Sequence, residues 1–348
     1  MTWHGPTLDD DQRDLIRMLD ALAADRGPLL GDDTTQVADL VGELAGLGLW
    51  TVGAGEANGG GGADRLTAGL VHERLGRTWP ALAWAAVQAQ VAADLLGEHP
   101  VVPALHAGTV RIAVVDAASS RVHLTREDER LTGTVDRVDA ASEEPHVLLL
   151  TGDDTAVLIG PEATTRTAVH RTGLAGALTR SLEVDASVGE SAEDLTGLDV
   201  TAARTTLLLG TAAVAAGIAA VAAEEAVSYA GGRVQFGGPL TALPIVRQSL
   251  LTQMSGATVA LASALGAPAE PVAALAAARS ACDTAIEVSA AALQSHGGYG
   301  YLTEYAAERH LRDAVSLRAA SDLTVAERTT GLALVGRPSA NPPRKEAS

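Results

Sequence analysis

Cysteine is nearly absent from this chain. Cys282 is the only one in 348 residues, so no disulfide can form within it. Its Ala-rich surroundings, AARSACDTA, read as a buried, inert thiol rather than a nucleophile. Aromatic residues are almost as scarce, at 3% of the chain with a single phenylalanine. A core built without them relies on small side chains, which predicts alanine-rich helices packed at short range. Basic residues are in deficit: 25 Lys and Arg against 43 Asp and Glu give a net charge of −18. Such a surface excludes nucleic acid and anionic membrane as partners, and it makes any local arginine cluster more informative. Residues 1–30 lack the apolar stretch of a secretion signal, and with the lone thiol they predict a cytoplasmic protein.

Apolar residues are plentiful at 47%, and the length predicts two or three subdomains rather than one core. One run, TTLLLGTAAVAAGIAAVAA (205–223), is uncharged and long enough to span a bilayer. It is mostly Ala, Gly and Thr, which contribute little to insertion, and Glu224 and Glu225 follow at once. A buried bundle helix is the expectation, with no membrane partner.

Helical spacing governs residues 8–49 and 64–98, with the Gly-rich stretch GAGEANGGGGA (53–63) between them as a flexible connection. That stretch lacks the Gly-Lys-Ser/Thr ending of a phosphate loop. From about residue 108 the pattern shifts to short Val-, Thr- and Leu-rich runs, which predict an antiparallel β unit over 108–192. Helix then returns: one long helix over 201–231, a second from Pro239, a third from Pro271 to Gln294, a fourth from Thr303–Glu304 and a fifth over 322–335. The expected fold is mainly α with a β middle domain. Its parts are a helical domain 1–107, a β domain 108–192, a four- or five-helix bundle 193–336 and a disordered, Pro-rich tail 337–348.

Two stretches carry candidate chemistry. In YAGGRVQFGGPL (229–240), Arg233 and Gln235 follow a helix that ends in glycines. An arginine fork suits a phosphate or carboxylate, although a helix cap with a surface Arg is an equally simple reading. In QSHGGYGY (294–301), consecutive glycines allow close approach of a ligand or a neighbouring chain, or simply a tight turn between helices. His296 has no second His, Cys or carboxylate at ligand spacing, so it reads as a packing or capping residue and no metal site is expected.

Taken together, YxxxRxQFGxPL, Gln248 and QxHGGYGYxxEYxxERxxRDA resemble the C-terminal bundle of the acyl-CoA dehydrogenase family. Gly59–Gly62 with HERLGR (72–77), and RLTGTVDRVDAAS, resemble its N-terminal half more weakly. The resemblance implies a helical domain, a β domain and a helical bundle, assembled as dimers of dimers. It implies FAD and oxidation of an acyl-CoA between its α and β carbons, with a glutamate removing the α proton. In the family the FAD site is shared between chains. The residues that would contact a neighbour's FAD are Arg233, Gln235, Phe236, Gln294, Gly297 and Gly298, and all are present.

The rest of the family pattern is broken. The usual Thr-Glu-Pro-x-x-Gly-Ser-Asp segment that faces the flavin is replaced by the shorter RIAVVDAASSRVHL (111–124). The Trp-Ile-Thr/Ser segment is also missing, with VDRVDAAS (135–142) near its place. The base, nine residues after the Arg of Arg-Asp-Ala, falls on Ser321. A serine cannot take an α proton without a base of its own. Asp322 is a weak substitute, being shorter and one position on. The other family position for the base, early in the long helix, falls near Leu207, whereas Glu224 and Glu225 lie too late and read as solvated or packing carboxylates.

The resemblance therefore implies a non-catalytic subunit that completes the FAD site of a catalytic partner in an α2β2 heterotetramer, with acyl-CoA bound mainly by the partner. Known heteromeric relatives in actinobacteria act on CoA thioesters of sterol side chains, which would place the chain in lipid or steroid degradation. Two alternatives are a self-sufficient homo-oligomeric flavoenzyme with an atypical base, and a flavin-free scaffold on the same fold.

Overall fold

The computed structural model describes residues 3–235 and 237–335. Phe236 and the tail expected over 337–348 lie outside the described residues.

The N-terminal helices are α1 (Asp10–Arg26), α2 (Thr34–Gly46), α3 (Arg65–Thr78), α4 (Pro80–Leu96) and α5 (Val102–His106). Strands β1 (Ile112–Asp116), β2 (Val122–Glu127), β3 (Arg130–Val138), β4 (His146–Leu150), β5 (Thr155–Ile159), β6 (Thr164–Ala168), β7 (Arg180–Ser187) and β8 (Ala192–Thr196) follow. The bundle then runs α6 (Val200–Gly232), β9 (Val234–Gln235), β10 (Gly238–Pro239), α7 (Pro244–Gly266), α8 (Pro271–His296), α9 (Ala307–Ala320) and α10 (Leu323–Leu334).

Local chemistry sets most of these starts. Asp9, Asp33, Asp64 and Asp199 each accept a first-turn backbone N–H, and so cap α1, α2, α3 and α6. Proline opens α4, α7 and α8, where its missing N–H costs nothing. Two helices begin later than expected. A short 3-10 turn (Leu240–Ala242) precedes α7, and another (Gly297–Tyr301) absorbs the glycines after α8, so α9 starts at Ala307.

The β domain is two four-stranded sheets, β1-β4-β5-β8 and β2-β3-β7-β6. All pairs are antiparallel except β1–β4, which is parallel with Ile112 opposite His146. The chain leaves β1, forms the β2–β3 hairpin in the other sheet and returns in the original direction. Val147, Leu149, Val157, Ile159, Leu182 and Val184 fill the space between the sheets.

Helix α6 is the axis of the bundle, about 50 Å long at 1.5 Å per residue. It is long and apolar enough to cross a membrane, with mean hydropathy 2.0, but 78% of that window is buried by protein. Its alanines and glycines let neighbours come close. A Cβ on Gly217 would lie 2.2 Å from the Glu73 carbonyl oxygen, and one on Gly76 would lie 2.6 Å from the Val214 carbonyl oxygen. Helices α3 and α6 therefore pack backbone to backbone, as the small-residue composition predicts.

Candidate cofactor sites: an open patch and a closed cleft

The first site forms where α6 ends. The Arg233 N–H donates to the Tyr229 carbonyl and closes the helix, and β9 and β10 turn back through Gly237, whose φ is +86°. The Arg233 guanidinium sits 4.6 Å from the centre of the Tyr299 ring, which comes from the turn after α8. Tyr229 stacks on His296 at 4.2 Å, and its hydroxyl donates to the His296 carbonyl at 3.2 Å. Tyr305 meets both edge-on. Three of the chain's four tyrosines thus fasten the two motifs together. His296 packs and caps, as expected, with Nδ1 2.8 Å from the Ala292 carbonyl oxygen.

Around this aromatic knot, Gln235, Gln294, Gly297 and Gly298 are exposed and Arg233 is half-buried. A Cβ at Gly297 or Gly298 would meet nothing within 4 Å. The Arg233 guanidinium has no carboxylate partner among the described residues and lies over the ring of Tyr299. The patch offers an arginine fork, two amides and bare backbone to an outside anion.

The second site is a cavity of about 100 Å³ between the β domain, α4, α6 and the α9–α10 junction. Leu207 and Ser321, the two positions at which a base was sought, both line it, and neither is a carboxylate. The Ser321 hydroxyl donates to the Arg318 carbonyl at 3.2 Å, so no base activates it. Asp322 also lines the cavity, but its carboxylate accepts the Ser119 hydroxyl.

The remaining polar lining is committed to internal pairs. Arg204 donates to Asp116 at 2.8 Å, and Arg137 to Asp139 at 2.6 Å. The Gln88 amide bridges the Asp139 carbonyl and the Val114 N–H. Small-molecule sites usually enclose roughly 300–1,000 Å³. This cleft is well below that, and its donors and acceptors already satisfy one another. It does not fit a flavin ring.

Other residues singled out in the sequence are structural. Arg312 donates to Glu308 and to the Thr172 carbonyl, and Asp313 accepts the Leu174 N–H at 2.6 Å. The pair holds the 172–176 loop, where Leu174 is left-handed at φ 57°. Burial pushes the Asp313 carboxyl up from its ordinary range, partly offset by that N–H. Glu224 accepts Arg77 at 2.8 Å, and Glu225 lies 3.0 Å from His310, so both are packing carboxylates. Burial pushes the Cys282 thiol up to about 12, which fits the inert reading. Among the described residues no group of three or more His, Cys, Asp or Glu could hold a metal.

Tyr299, Ser119, Arg121, Arg137 and Arg204 are absent from the sequence-based candidates. The doubled Tyr of GGYGY was a usable signal for Tyr299. Ser119, Arg121 and Arg204 act through partners distant in sequence, whereas Arg137 pairs with Asp139 two residues on.

Family models place this architecture. "Acyl-CoA dehydrogenase, N-terminal domain" matches residues 9–99, and "Acyl-CoA dehydrogenase, C-terminal domain" matches 201–321. A short-chain specific acyl-CoA dehydrogenase of Megasphaera elsdenii is 40% identical over 114 residues, 30% of each chain. The match thus spans under a third of that relative's length. In fold the chain resembles butyryl-CoA dehydrogenase of M. elsdenii, with TM-score 0.76 and 22% identity over 96% of this chain and 100% of that one. It also resembles a glutaryl-CoA dehydrogenase of Mycobacterium smegmatis solved with FADH2, with TM-score 0.77 and 16% identity over 95% and 96%. With both terminal domains matched and the three-part architecture in place around them, the chain belongs to the acyl-CoA dehydrogenase family.

Proposed function

We propose that this chain is the non-catalytic subunit of a heteromeric, FAD-dependent acyl-CoA dehydrogenase, assembled as α2β2 in the cytoplasm. Its role is to complete the FAD site of a catalytic partner. One contrast carries the reading. The residues that would contact a neighbour's cofactor meet on an open surface, with Arg233 over Tyr299 at 4.6 Å. The chain's own cleft is about 100 Å³ and has Ser321 and Leu207 where a carboxylate would be needed.

Abstraction of an α proton needs a carboxylate within hydrogen-bond reach of that carbon. Ser321 donates its own proton to a carbonyl, so the base belongs to the partner. FAD supplies hydride acceptance when bound. This chain's part is recognition. The Arg233 fork suits the phosphates of the ADP half, and Gln235 and Gln294 suit its polar edges. The uncovered backbone at Gly297 and Gly298 lets it approach closely. Phe236 belongs to the same segment by sequence. The partner's pocket holds the acyl-CoA. A bulky acyl group such as a sterol side chain is the substrate class assigned through the resemblance, and turnover of a panel of CoA thioesters by the purified pair tests it.

The decisive experiment is flavin stoichiometry on the chain isolated with its partner. The expected result is one FAD per two unlike chains, with Arg233→Ala weakening FAD retention about tenfold or more, since a charge-assisted hydrogen bond contributes roughly 1.5–3 kcal/mol. One FAD per copy of this chain, without a partner, overturns the proposal.

A further inference from the structure

We infer that the two walls of this chain's own cleft are fastened by a built polar joint, in which Asp322 is the structural acceptor and not a base. Three contacts tie the β1–β2 turn to the α9–α10 region. The Ser119 hydroxyl donates to the Asp322 carboxylate, and the Arg121 guanidinium donates to the Ala319 carbonyl. Arg328 reaches back to the Ala118 carbonyl at 2.6 Å. The Arg121 N–H also donates to the Ser119 oxygen at 3.2 Å, which orients the hydroxyl toward Asp322.

The backbone at Asp322 gives independent support. Asp322 is the N-cap of α10, a position where an aspartate ordinarily accepts an N–H of its own helix. Its side chain makes no such bond. Its backbone is left-handed, at φ 46° and ψ 53°, a region that Asp tolerates better than most residues. The residue thus forgoes its cap and adopts a less favoured conformation while its carboxylate reaches Ser119. The two segments it joins both line the cleft, Ser119 and Arg121 on one side and Ala320 to Asp322 on the other. Moving these two segments apart would break all three contacts, so the joint holds the cleft at its present width.

This inference concerns a different site from the FAD patch and stands whether or not that reading does. Hydrogen–deuterium exchange on the full chain tests it. Ser119→Ala and Asp322→Gly, the latter keeping the left-handed backbone accessible, should each raise exchange over 117–122 and 318–325. The expected rise is about tenfold, as for loss of one hydrogen bond to a charged group. The double variant should add little. Asp322→Asn, which keeps an acceptor but cannot take a proton, should retain the protection.

In the assembled complex, Asp322→Asn should also keep turnover within about twofold, whereas loss of a general base costs roughly 10²–10⁴. Unchanged exchange in Ser119→Ala and Asp322→Gly overturns the joint, as does a rise spread equally through α3 and α8. Loss of turnover in Asp322→Asn with exchange intact returns Asp322 to the role of base.

Discussion

At position 72 a histidine is 4% exposed, and its Nε2 has no hydrogen-bond partner among the described residues. Burial lowers its pKa from 6.5 to about 4, so it is neutral in the folded chain. A folded pKa below the unfolded one means the stabilisation is present above pH 6.5 and is lost as pH falls toward 4. The full effect is about 3 kcal/mol, from 1.36 kcal/mol per pKa unit. His72→Leu should therefore flatten the fall of Tm between about pH 6.5 and 5, a window above the carboxylate range. Tm measured across that window checks it, and an unchanged slope would mean that His72 reaches water. The sequence marked His72 as part of HERLGR but gave no sign that it is unpartnered, because its environment comes from helices far away in the chain. Arg233, Gln294 and Gly297 could be singled out for the opposite reason: they lie in local patterns of glycine, arginine and tyrosine, and only the family resemblance attaches a role to them.

At the scale of elements, the α3–α6 contact is set by two glycines. Gly217→Ala would place a methyl 2.2 Å from the Glu73 carbonyl, a backbone atom that cannot give way cheaply. Separating the helices would also strain the Arg77 bridge, which joins Glu73 on α3 and Glu224 on α6 at 2.8 Å each. Overpacking of this kind costs about 1–3 kcal/mol. The expected outcome is a fall in Tm of several degrees, larger than for Gly331→Ala, where a Cβ meets nothing within 4 Å. The sequence predicted close helix packing from composition, and it located the long helices well because their periods are long and their caps local. No apolar run in the sequence marks β6 (TTRTA) or β8 (AEDLT). Both are edge strands, which carry polar side chains and so lack the apolar alternation that betrays a central strand. The parallel β1–β4 pairing was also invisible, since strand order is a property of the sheet and not of either strand.

For the whole molecule, the closed cleft was only half legible. The serine at the position where the family resemblance places a base could be counted from Arg312 to Ser321, but the Ser119–Asp322 contact joins residues 203 apart and has no period to read. The proposed partner also needs a face. Helix α7 supplies one: its 23 residues carry a single charge, Arg247, whereas one residue in five is charged across the chain. On it Ile245, Leu251 and Val259 are exposed at 71%, 67% and 64%. This side is continuous in the chain with the β9–β10 turn, whose Arg233 carbonyl accepts the Leu240 N–H at 2.8 Å. A face with exposed apolar side chains and no acidic residue, beside the candidate cofactor patch on a molecule of net charge −18, suits a subunit contact, because like charges would otherwise oppose each other there. Leu251→Arg should leave the isolated chain's Tm within about 1 °C, since the side chain is already solvated. It should abolish co-purification of the partner and, with it, the bound flavin. Size-exclusion chromatography with absorbance at the flavin band reads both at once. Retention of partner and flavin in the Leu251→Arg chain would move the contact to another face, and loss of flavin with the partner still bound would separate the patch from the contact.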